Sequence, residues 1–293
     1  GRVSSLPFFY VYINYRRNRY KTKGSFIMKN STIIAIANQK GGVGKTTTAF
    51  NLGATLALKH NKKVLLVDLD PQGNLSEYLK FKHNDGKPTI TDLVMRVSAE
   101  PMLPAAEIKS AVRYNKNNDL YYIPADINLA NAETYISSAL ARESILKRIL
   151  IDELVSNFDY VLIDCLPSLG ILFINALTAA DKMIIPVQTQ KFSLDGLSAL
   201  KSLHMQIRQT INPDLSILGI LPTMADKTTV SKKALAQLTE DSELHVFNTI
   251  IHRSVEAARS SESGHALCKI KCKLGDDYTA LAEELTELLK TSI

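Results

Sequence analysis

A glycine-rich run at residues 38–48 has the residue types and spacing needed to hold phosphate groups. It reads Asn-Gln-Lys-Gly-Gly-Val-Gly-Lys-Thr-Thr-Thr and lies between an apolar run and a helical pattern. Glycines let successive backbone N–H groups point into one small space, and the following helix adds the positive end of its dipole. We expect Lys45 to reach the β- and γ-phosphates of a nucleoside triphosphate and the Thr46 hydroxyl to bind Mg²⁺. The residues predicted to line this cradle are Gly41, Gly42, Val43, Gly44, Lys45, Thr46 and Thr47.

The run departs from the common phosphate-loop pattern G-x-x-x-x-G-K-[ST]. Gln39 stands where that pattern has its first glycine, and Lys40 adds a second lysine five residues before Lys45. An ordinary glycine turn is the alternative interpretation. The apolar run before it, the helical pattern after it and the Gly-Lys-Thr register all favour a phosphate cradle.

Carboxylates follow two other apolar runs. Asp68 and Asp70 lie in Val-Asp-Leu-Asp-Pro-Gln-Gly-Asn after the run 64–67, and Asp164 follows the run 160–163. Ligands of parallel sheets bind beyond the carboxyl ends of the strands. We expect Asp164 to hold Mg²⁺, often through water. Asp68 and Asp70 could instead be ordinary turn residues before a proline, but their position about 25 residues after the cradle favours a role in the site.

Short apolar runs alternate with helical periods along most of the chain. The runs cover residues 33–37, 64–67, 160–163, 183–187 and 215–221. Near-continuous apolar runs are typical of strands that are covered on both faces. The pattern predicts an α/β fold with a doubly wound, mostly parallel sheet flanked by helices on both faces. We expect a single domain over residues 28–293, with residues 82–118 as an irregular, variable excursion from it.

The extra lysine makes the chain resemble the ParA/MinD family, whose cradle is called the deviant Walker A motif. In that family the extra lysine crosses a dimer interface and touches the ATP of the partner. The resemblance implies that Lys40 acts in trans and Lys45 in cis, within a homodimer that forms on ATP binding. It also implies that Asp70 positions the attacking water and that Asp68 lies near the Mg²⁺ shell. The resemblance covers most of residues 31–260.

The chain departs from the family pattern at two places. Leu166 replaces the first of two prolines that usually follow the Asp-Cys pair at residues 164–165. Arg253 matches an arginine near the adenine pocket, but His252 stands where the family has proline. We expect an adenine contact from Met224, in the stretch directly after the run 215–221.

The ParA branch of the family partitions DNA, and its members bind DNA non-specifically and are stimulated by a ParB-like centromere-binding protein. The resemblance implies a DNA partition ATPase that lies in the cytoplasm in association with the nucleoid. Non-specific DNA binding depends on basic side chains that contact phosphates. The residues that match in region are Arg208, Lys227, Lys232 and Lys233. Ordinary solvated lysines are the alternative.

Two other functions remain as alternatives. A MinD-like positioning protein would use the same ATP switch at a membrane or on a protein partner. The last helical pattern has an acidic polar face, including Asp276, Asp277 and Glu284, which favours packing against the core over binding to anionic lipid. A cluster-binding ATPase would use Cys268 and Cys272, but the flanking lysines argue against it.

Composition adds limits to these interpretations. The chain has 293 residues and a formal net charge of +6. Six basic residues and no acid lie in residues 1–27, which leaves 29 basic and 29 acidic residues in 28–293. This first segment is either a basic aromatic arm or sequence that precedes a native start at Met28. We favour the second interpretation, in which the segment is non-native or disordered. The three cysteines indicate reduced thiols. No run approaches the roughly eighteen apolar residues of a membrane span.

Overall fold

The computed structural model of the chain describes residues 31–83, 85–191, 194–241 and 244–291. The expectation for the basic aromatic segment 1–27 and for Met28 lies outside the described residues. The described residues form α-helices and one twisted sheet, joined in the alternating order expected of an α/β fold.

Within the described residues the sheet has seven strands in the order β3-β4-β2-β5-β1-β6-β7. The strands are β1 (Thr32–Ile36), β2 (Val64–Leu69), β3 (Arg113–Asn115), β4 (Leu120–Ile123), β5 (Tyr160–Cys165), β6 (Lys182–Gln188) and β7 (Ser216–Thr223). All neighbours pair in parallel except β3, which is antiparallel to β4 at the edge. The carboxyl ends of β1, β2 and β5 therefore meet at one edge of the sheet.

The helices cover both faces of the sheet. They are α1 (Lys45–His60), α2 (Asn74–Tyr78), α3 (Ile90–Ala99), α4 (Ala105–Ser110), α5 (Leu129–Ile136), α6 (Ile145–Ile149), α7 (Asp152–Val155), α8 (Ile171–Ala179), α9 (Leu194–Thr210), α10 (Thr229–Asp241), α11 (Glu256–Ser263) and α12 (Lys273–Thr291). Short 3₁₀ turns occupy Arg142–Ser144, Thr189–Lys191 and Leu267–Lys269.

Alternate residues of each central strand enter different cores, which explains the continuous apolar runs. In β2, Leu65 and Val67 pack in the core that includes α3 and α8, whereas Val64 and Leu66 pack in the core that includes α1 and α12. A strand that is buried on both faces has no position for a solvent-facing residue. The doubly wound, mostly parallel α/β sheet is therefore confirmed, and each predicted run coincides with a strand.

The expectation of an irregular excursion at residues 82–118 is wrong. This segment contains α3, α4 and the edge strand β3. Ile90, Leu93, Val94 and Val97 of α3 are fully or almost fully buried in the same core as β2. The sequence pattern did not reveal these elements, because polar residues interrupt the apolar positions. α3 exposes one side to solvent, and β3 is an edge strand of three residues.

The last helix packs against the core as predicted, and it lies beside α1. Tyr278, Leu281, Ala282 and Leu285 of α12 are buried in the core on that side of the sheet. One residue assigned to the polar face is misplaced, because Asp277 is only 8% exposed and faces His252. Among the described residues no helix has both the length and the apolar character to cross a membrane.

Candidate functional site

The phosphate cradle lies between β1 and α1 at the carboxyl edge of the sheet. Gly42 and Gly44 have φ values of +69° and +88°, in the left-handed region that only glycine adopts without strain. Gly44 caps α1 directly before Lys45. A Cβ added to Gly41 would lie 3.8 Å from the Cβ of Pro167, in the loop after β5. The glycines therefore give the loop its shape and its contact with the loop after β5.

Two side chains that sequence reasoning did not assign fix the cradle to the neighbouring strands. Asn38 donates from Nδ2 to the carbonyl of Pro186 in β6 at 2.7 Å and accepts from the N–H of Lys40 at 2.9 Å. The buried Thr223 hydroxyl, at the end of β7, donates to the Val43 carbonyl at 2.9 Å. Asn38 belongs to the glycine-rich run and Thr223 follows the apolar run 215–221. Their roles could not be predicted, because they depend on which strands are adjacent in the sheet.

Lys45 is a buried cation at the start of α1. Lys45 is 6% exposed, and its Nζ donates a hydrogen bond to the backbone carbonyl of Lys40 at 3.0 Å. Burial lowers the pKa of Lys45, while the nearby Asp164, Cys165 and Asp70 act in the opposite direction. The ammonium thus lies near the carboxylates. Together with the backbone N–H groups of the loop, it can bind an anion. The side chain of Lys40 is half-buried at the same loop.

Asp164 carries two carboxylate oxygens that make no hydrogen bond of normal geometry to the described residues. The residue is fully buried at the end of β5, and the Thr46 hydroxyl is the neighbouring donor. Burial raises the pKa of Asp164 well above its ordinary value, and Asp68 adds to this, while the Thr46 hydroxyl and Lys45 oppose it. Such a carboxylate is poorly stabilised unless a cation joins it. Its position beside Thr46 suits a Mg²⁺ site that is shared with phosphate oxygens.

Asp68 is adjacent to Asp164 in the sheet register, but its oxygens are already engaged. Oδ2 accepts from the N–H and the hydroxyl of Ser76 at 2.8 and 2.7 Å, and Oδ1 accepts from the Asp70 N–H at 3.1 Å. Burial raises the pKa of Asp68, and these hydrogen bonds oppose that effect. In this geometry Asp68 holds the turn that carries Asp70.

Asp70 lies just beyond β2 and faces the same space as Lys45. It is 7% exposed, and its Oδ1 accepts from the Gln72 N–H at 2.9 Å. Gly73, with φ of +63°, lets the chain turn into α2. The structure therefore brings Lys45, Asp70 and Asp164 together around the cradle.

Met224 lies against the cradle on the side opposite the carboxylates. Its backbone has φ of +52°, and its Cε is 3.9 Å from the position of a Cβ built on Gly44. The segment 251–253 runs beside it, with Ala225 donating to the Ile251 carbonyl at 3.1 Å and Arg253 donating to the Ala225 carbonyl at 3.0 Å. Met224 thus lies where a group bound in the cradle could contact it.

Known proteins resemble this chain along most of its length. The family model described as AAA domain matches residues 31–217. The chain is 40% identical over 256 residues to the sporulation initiation inhibitor protein Soj of Bacillus subtilis, covering 86% of this chain and 97% of that one. It is 40% identical over 255 residues to the chromosome-partitioning ATPase Soj of Treponema pallidum, covering 86% and 96%. The chain belongs to the Soj/ParA family of P-loop ATPases.

A solved structure in the same fold carries a nucleotide. The structure described as cobyrinic acid a,c-diamide synthase from Mycobacterium smegmatis with bound ATP analog and magnesium has a TM-score of 0.75 and 34% identity. The match covers 90% of this chain and 98% of that one. The two Soj relatives confirm the predicted resemblance to the ParA/MinD family.

The basic residues expected from the Soj/ParA resemblance do not all lie together. Lys227, Lys232 and Lys233 are exposed around the start of α10, beyond the carboxyl end of β7. Arg208 is exposed near the end of α9 and donates from Nε to the Pro213 carbonyl at 3.4 Å, before β7 begins. The two positions lie at opposite ends of β7. This strand has eight residues and is therefore about 26 Å long at the usual strand rise per residue. Within one copy Arg208 and the three lysines are thus separated by the length of β7, and their part in DNA binding stays a prediction.

The cysteines of this Soj/ParA chain are covered to different degrees. Cys165 and Cys268 are buried, and Cys272 is partly exposed. Burial raises the pKa of the Cys268 thiol, and the neighbouring Thr55, Lys59 and Lys269 oppose that effect. Cys268 therefore lies in the packed region between α1 and the turn before α12.

Proposed function

We propose that this chain is a Mg²⁺-dependent ATP hydrolase that pairs with a second copy of itself on ATP binding and partitions DNA. The observation that carries this proposal is the convergence of Lys45, Asp70 and Asp164 at one sheet edge around the cradle. The family membership and the ATP analog in a solved relative support it.

The residues of the site fit ATP and Mg²⁺. The cradle offers backbone N–H groups and the Lys45 ammonium to phosphates, and the glycines leave room for them. Asp164, with its two unpartnered oxygens, and Thr46 would hold Mg²⁺. Within the described residues no group of three or more His, Cys, Asp or Glu side chains forms a metal cage, and Mg²⁺ in nucleotide sites needs only one or two carboxylates besides the phosphates. When bound, the metal supplies positive charge beside the phosphate oxygens.

Hydrolysis requires a positioned water and charge stabilisation at the terminal phosphate. We assign the first task to Asp70, whose carboxylate is held by the Gln72 N–H and by the turn that Asp68 fixes. We assign part of the second to Lys40 of a second copy. A cation that arrives with a partner makes turnover depend on pairing, as an arginine finger does. Lys40 is half-buried at the cradle.

We further propose that the ATP-bound pair binds non-specific DNA and that a ParB-like partner stimulates hydrolysis and release. The proposed location is the cytoplasm, on the nucleoid. The name of the Treponema relative supports a role in chromosome partitioning. Lys227, Lys232 and Lys233 lie at the sheet edge that carries the nucleotide site, so nucleotide-driven pairing could bring two such patches to one side of the pair.

Neutralising this patch should weaken DNA binding in a salt-dependent manner. With Lys227, Lys232 and Lys233 changed to alanine, we expect affinity for a random-sequence duplex to fall on the order of tenfold at low salt. The slope of log affinity against log salt should decrease by about 2.7, because each lost phosphate contact removes about 0.9. Fluorescence anisotropy with ATP and Mg²⁺ across a salt series measures both quantities.

The control removes the same charge elsewhere. Lys82, Lys109 and Lys116 are exposed on other parts of the surface, and their change to alanine should leave the slope unchanged. A separate Arg208→Ala variant tests the opposite edge of the sheet. Equal effects of both triple variants would place the DNA surface elsewhere, and absence of ATP-dependent DNA binding in the unaltered protein would contradict the partition role.

A further inference from the structure

The loop after β5 connects the strand that ends in Asp164 with the phosphate cradle. It covers residues 166–170 and leads into α8. A Cβ built on Gly41 of the cradle would lie 3.8 Å from the Cβ of Pro167 in this loop. The loop therefore borders the space where the terminal phosphate and the attacking water would lie in the proposed function. The inference below rests on that function and concerns what holds the loop in place.

The end of this loop presents hydrogen-bond donors. Ser168 N–H donates to the Leu166 carbonyl at 3.0 Å, and Ser168 Oγ accepts from the Gly170 N–H at 3.0 Å. Gly170 is the N-cap residue of α8 and has no side chain to accept from the helix. The first N–H groups of a helix lack partners within it, and a hydroxyl that accepts one hydrogen bond still has a hydrogen to donate. An acceptor from another element can therefore stabilise this end of the loop.

Glu133 of α5 brings a carboxylate to the same place. A Cβ built on Gly170 would lie 2.7 Å from Glu133 Oε1 and 3.2 Å from Ser168 Oγ. The carboxylate thus occupies the space that a larger residue at position 170 would need. Ile136, one turn further along α5, is buried in the core that also contains Leu166 of the loop. The side of α5 that carries Glu133 therefore packs against the loop.

One oxygen of Glu133 has no use within the described residues. Oε1 is buried and makes no hydrogen bond of normal geometry to them. A buried carboxylate oxygen without a donor is poorly stabilised. The Ser168 hydroxyl and Oε1 lie around one point, the position of the Cβ built on Gly170, so a small adjustment of the loop joins them. A negative charge beside the first turn of α8 is also favourable.

We propose that Glu133 is a positioning residue for ATP hydrolysis, which accepts a hydrogen bond from the Ser168 hydroxyl and holds the loop 166–170 beside the cradle when ATP is bound. Asp164 does not need this support, because β1 and β2 pair with β5 on both sides of it. Loss of the Glu133 carboxylate therefore disturbs the loop beyond Asp164 and leaves Mg²⁺ and the phosphates bound. The effect falls on turnover, since a shift of about 1 Å in a positioning element can cost on the order of 100-fold in rate.

The test separates turnover from binding in a Glu133→Ala variant. We expect kcat for ATP hydrolysis with Mg²⁺ and DNA to fall about 10- to 100-fold, while ATP affinity by calorimetry stays within about threefold. In Glu133→Gln the amide oxygen still accepts from Ser168, so kcat should stay within about threefold of that of the unaltered protein. Ser168→Ala should reproduce the effect of Glu133→Ala. The double variant should be no slower than either single one, because both changes remove the same hydrogen bond.

The control is Glu153→Ala, which removes an exposed glutamate on α7 and should keep the normal kcat. A normal kcat in Glu133→Ala with a lowered melting temperature shows a structural role only and overturns the inference. Effects of Glu133→Ala and Ser168→Ala that multiply in the double variant overturn it as well, as does a Glu133→Gln protein that is as slow as Glu133→Ala. If Glu133→Ala does not fold, Glu133→Gln and Ser168→Ala still decide the matter. Failure of the unaltered protein to hydrolyse ATP would instead overturn the proposed function and this inference with it.

Discussion

In a Lys45→Ala variant, we expect affinity for ATP to fall by at least about 100-fold. The ammonium lies at the start of α1 among Asp164, Asp70 and Cys165, with its charge already partly desolvated. Loss of a buried charged partner in a binding site costs about 2–5 kcal/mol, and about 2.8 kcal/mol corresponds to 100-fold. Isothermal titration calorimetry with ATP and Mg²⁺ measures the change directly.

The matched control for this variant is Lys59→Ala, at the other end of the same helix. Lys59 is exposed, so its loss should leave ATP affinity within about twofold. Circular dichroism of both variants shows whether α1 still forms. An ATP affinity in a folded Lys45→Ala protein that matches the control would show that the cradle does not hold the triphosphate.

An Asp70→Ala variant should bind ATP normally and hydrolyse it on the order of 100- to 10,000-fold more slowly. Asp70 lies near the cradle but its loss leaves Lys45, Thr46 and Asp164 in place. Positioned acid–base groups contribute factors of this size to rate. Phosphate release in the presence of DNA measures turnover, and calorimetry measures binding.

Asp152→Ala, which removes an exposed aspartate on α7, is the control and should turn over as the unaltered protein does. Normal turnover in Asp70→Ala would remove its assignment as the residue that positions water. A loss of ATP binding together with turnover would instead give Asp70 a structural role in the turn that Asp68 and Gly73 form.

The sequence was sufficient for features that depend on local pattern. The sequence predicted the cradle glycines, the central strands and the apolar face of α12. Each follows from a pattern of neighbouring residues that determines backbone conformation or burial. Among the elements missed were β3 and β4, together with α3 and α4. β3 has three residues and β4 has four, which is too short for a periodic pattern to stand out from the polar residues around them.

Other features required the three-dimensional arrangement. Asp277 follows Asp276 on a helix with many acids, and only the packing of α12 against the segment 251–253 shows that it is buried beside His252. Arg208 and Lys227 are near in sequence. However, Arg208 lies near the amino end of β7 and Lys227 beyond its carboxyl end. Asp68 and Asp164 look alike as strand-end aspartates, and only Ser76 shows that the first is already satisfied.

The central claim is that one triphosphate is held by Lys45 of one copy and Lys40 of another. The most direct test is the molar mass of the Asp70→Ala protein in solution, by light scattering during gel filtration, with ATP and Mg²⁺ present. We predict a dimer that persists with ATP and is absent with ADP, and a monomer that still binds ATP once Lys40→Ala is added. A protein that stays monomeric with ATP bound, or a dimer that the Lys40→Ala change leaves intact, would contradict the account.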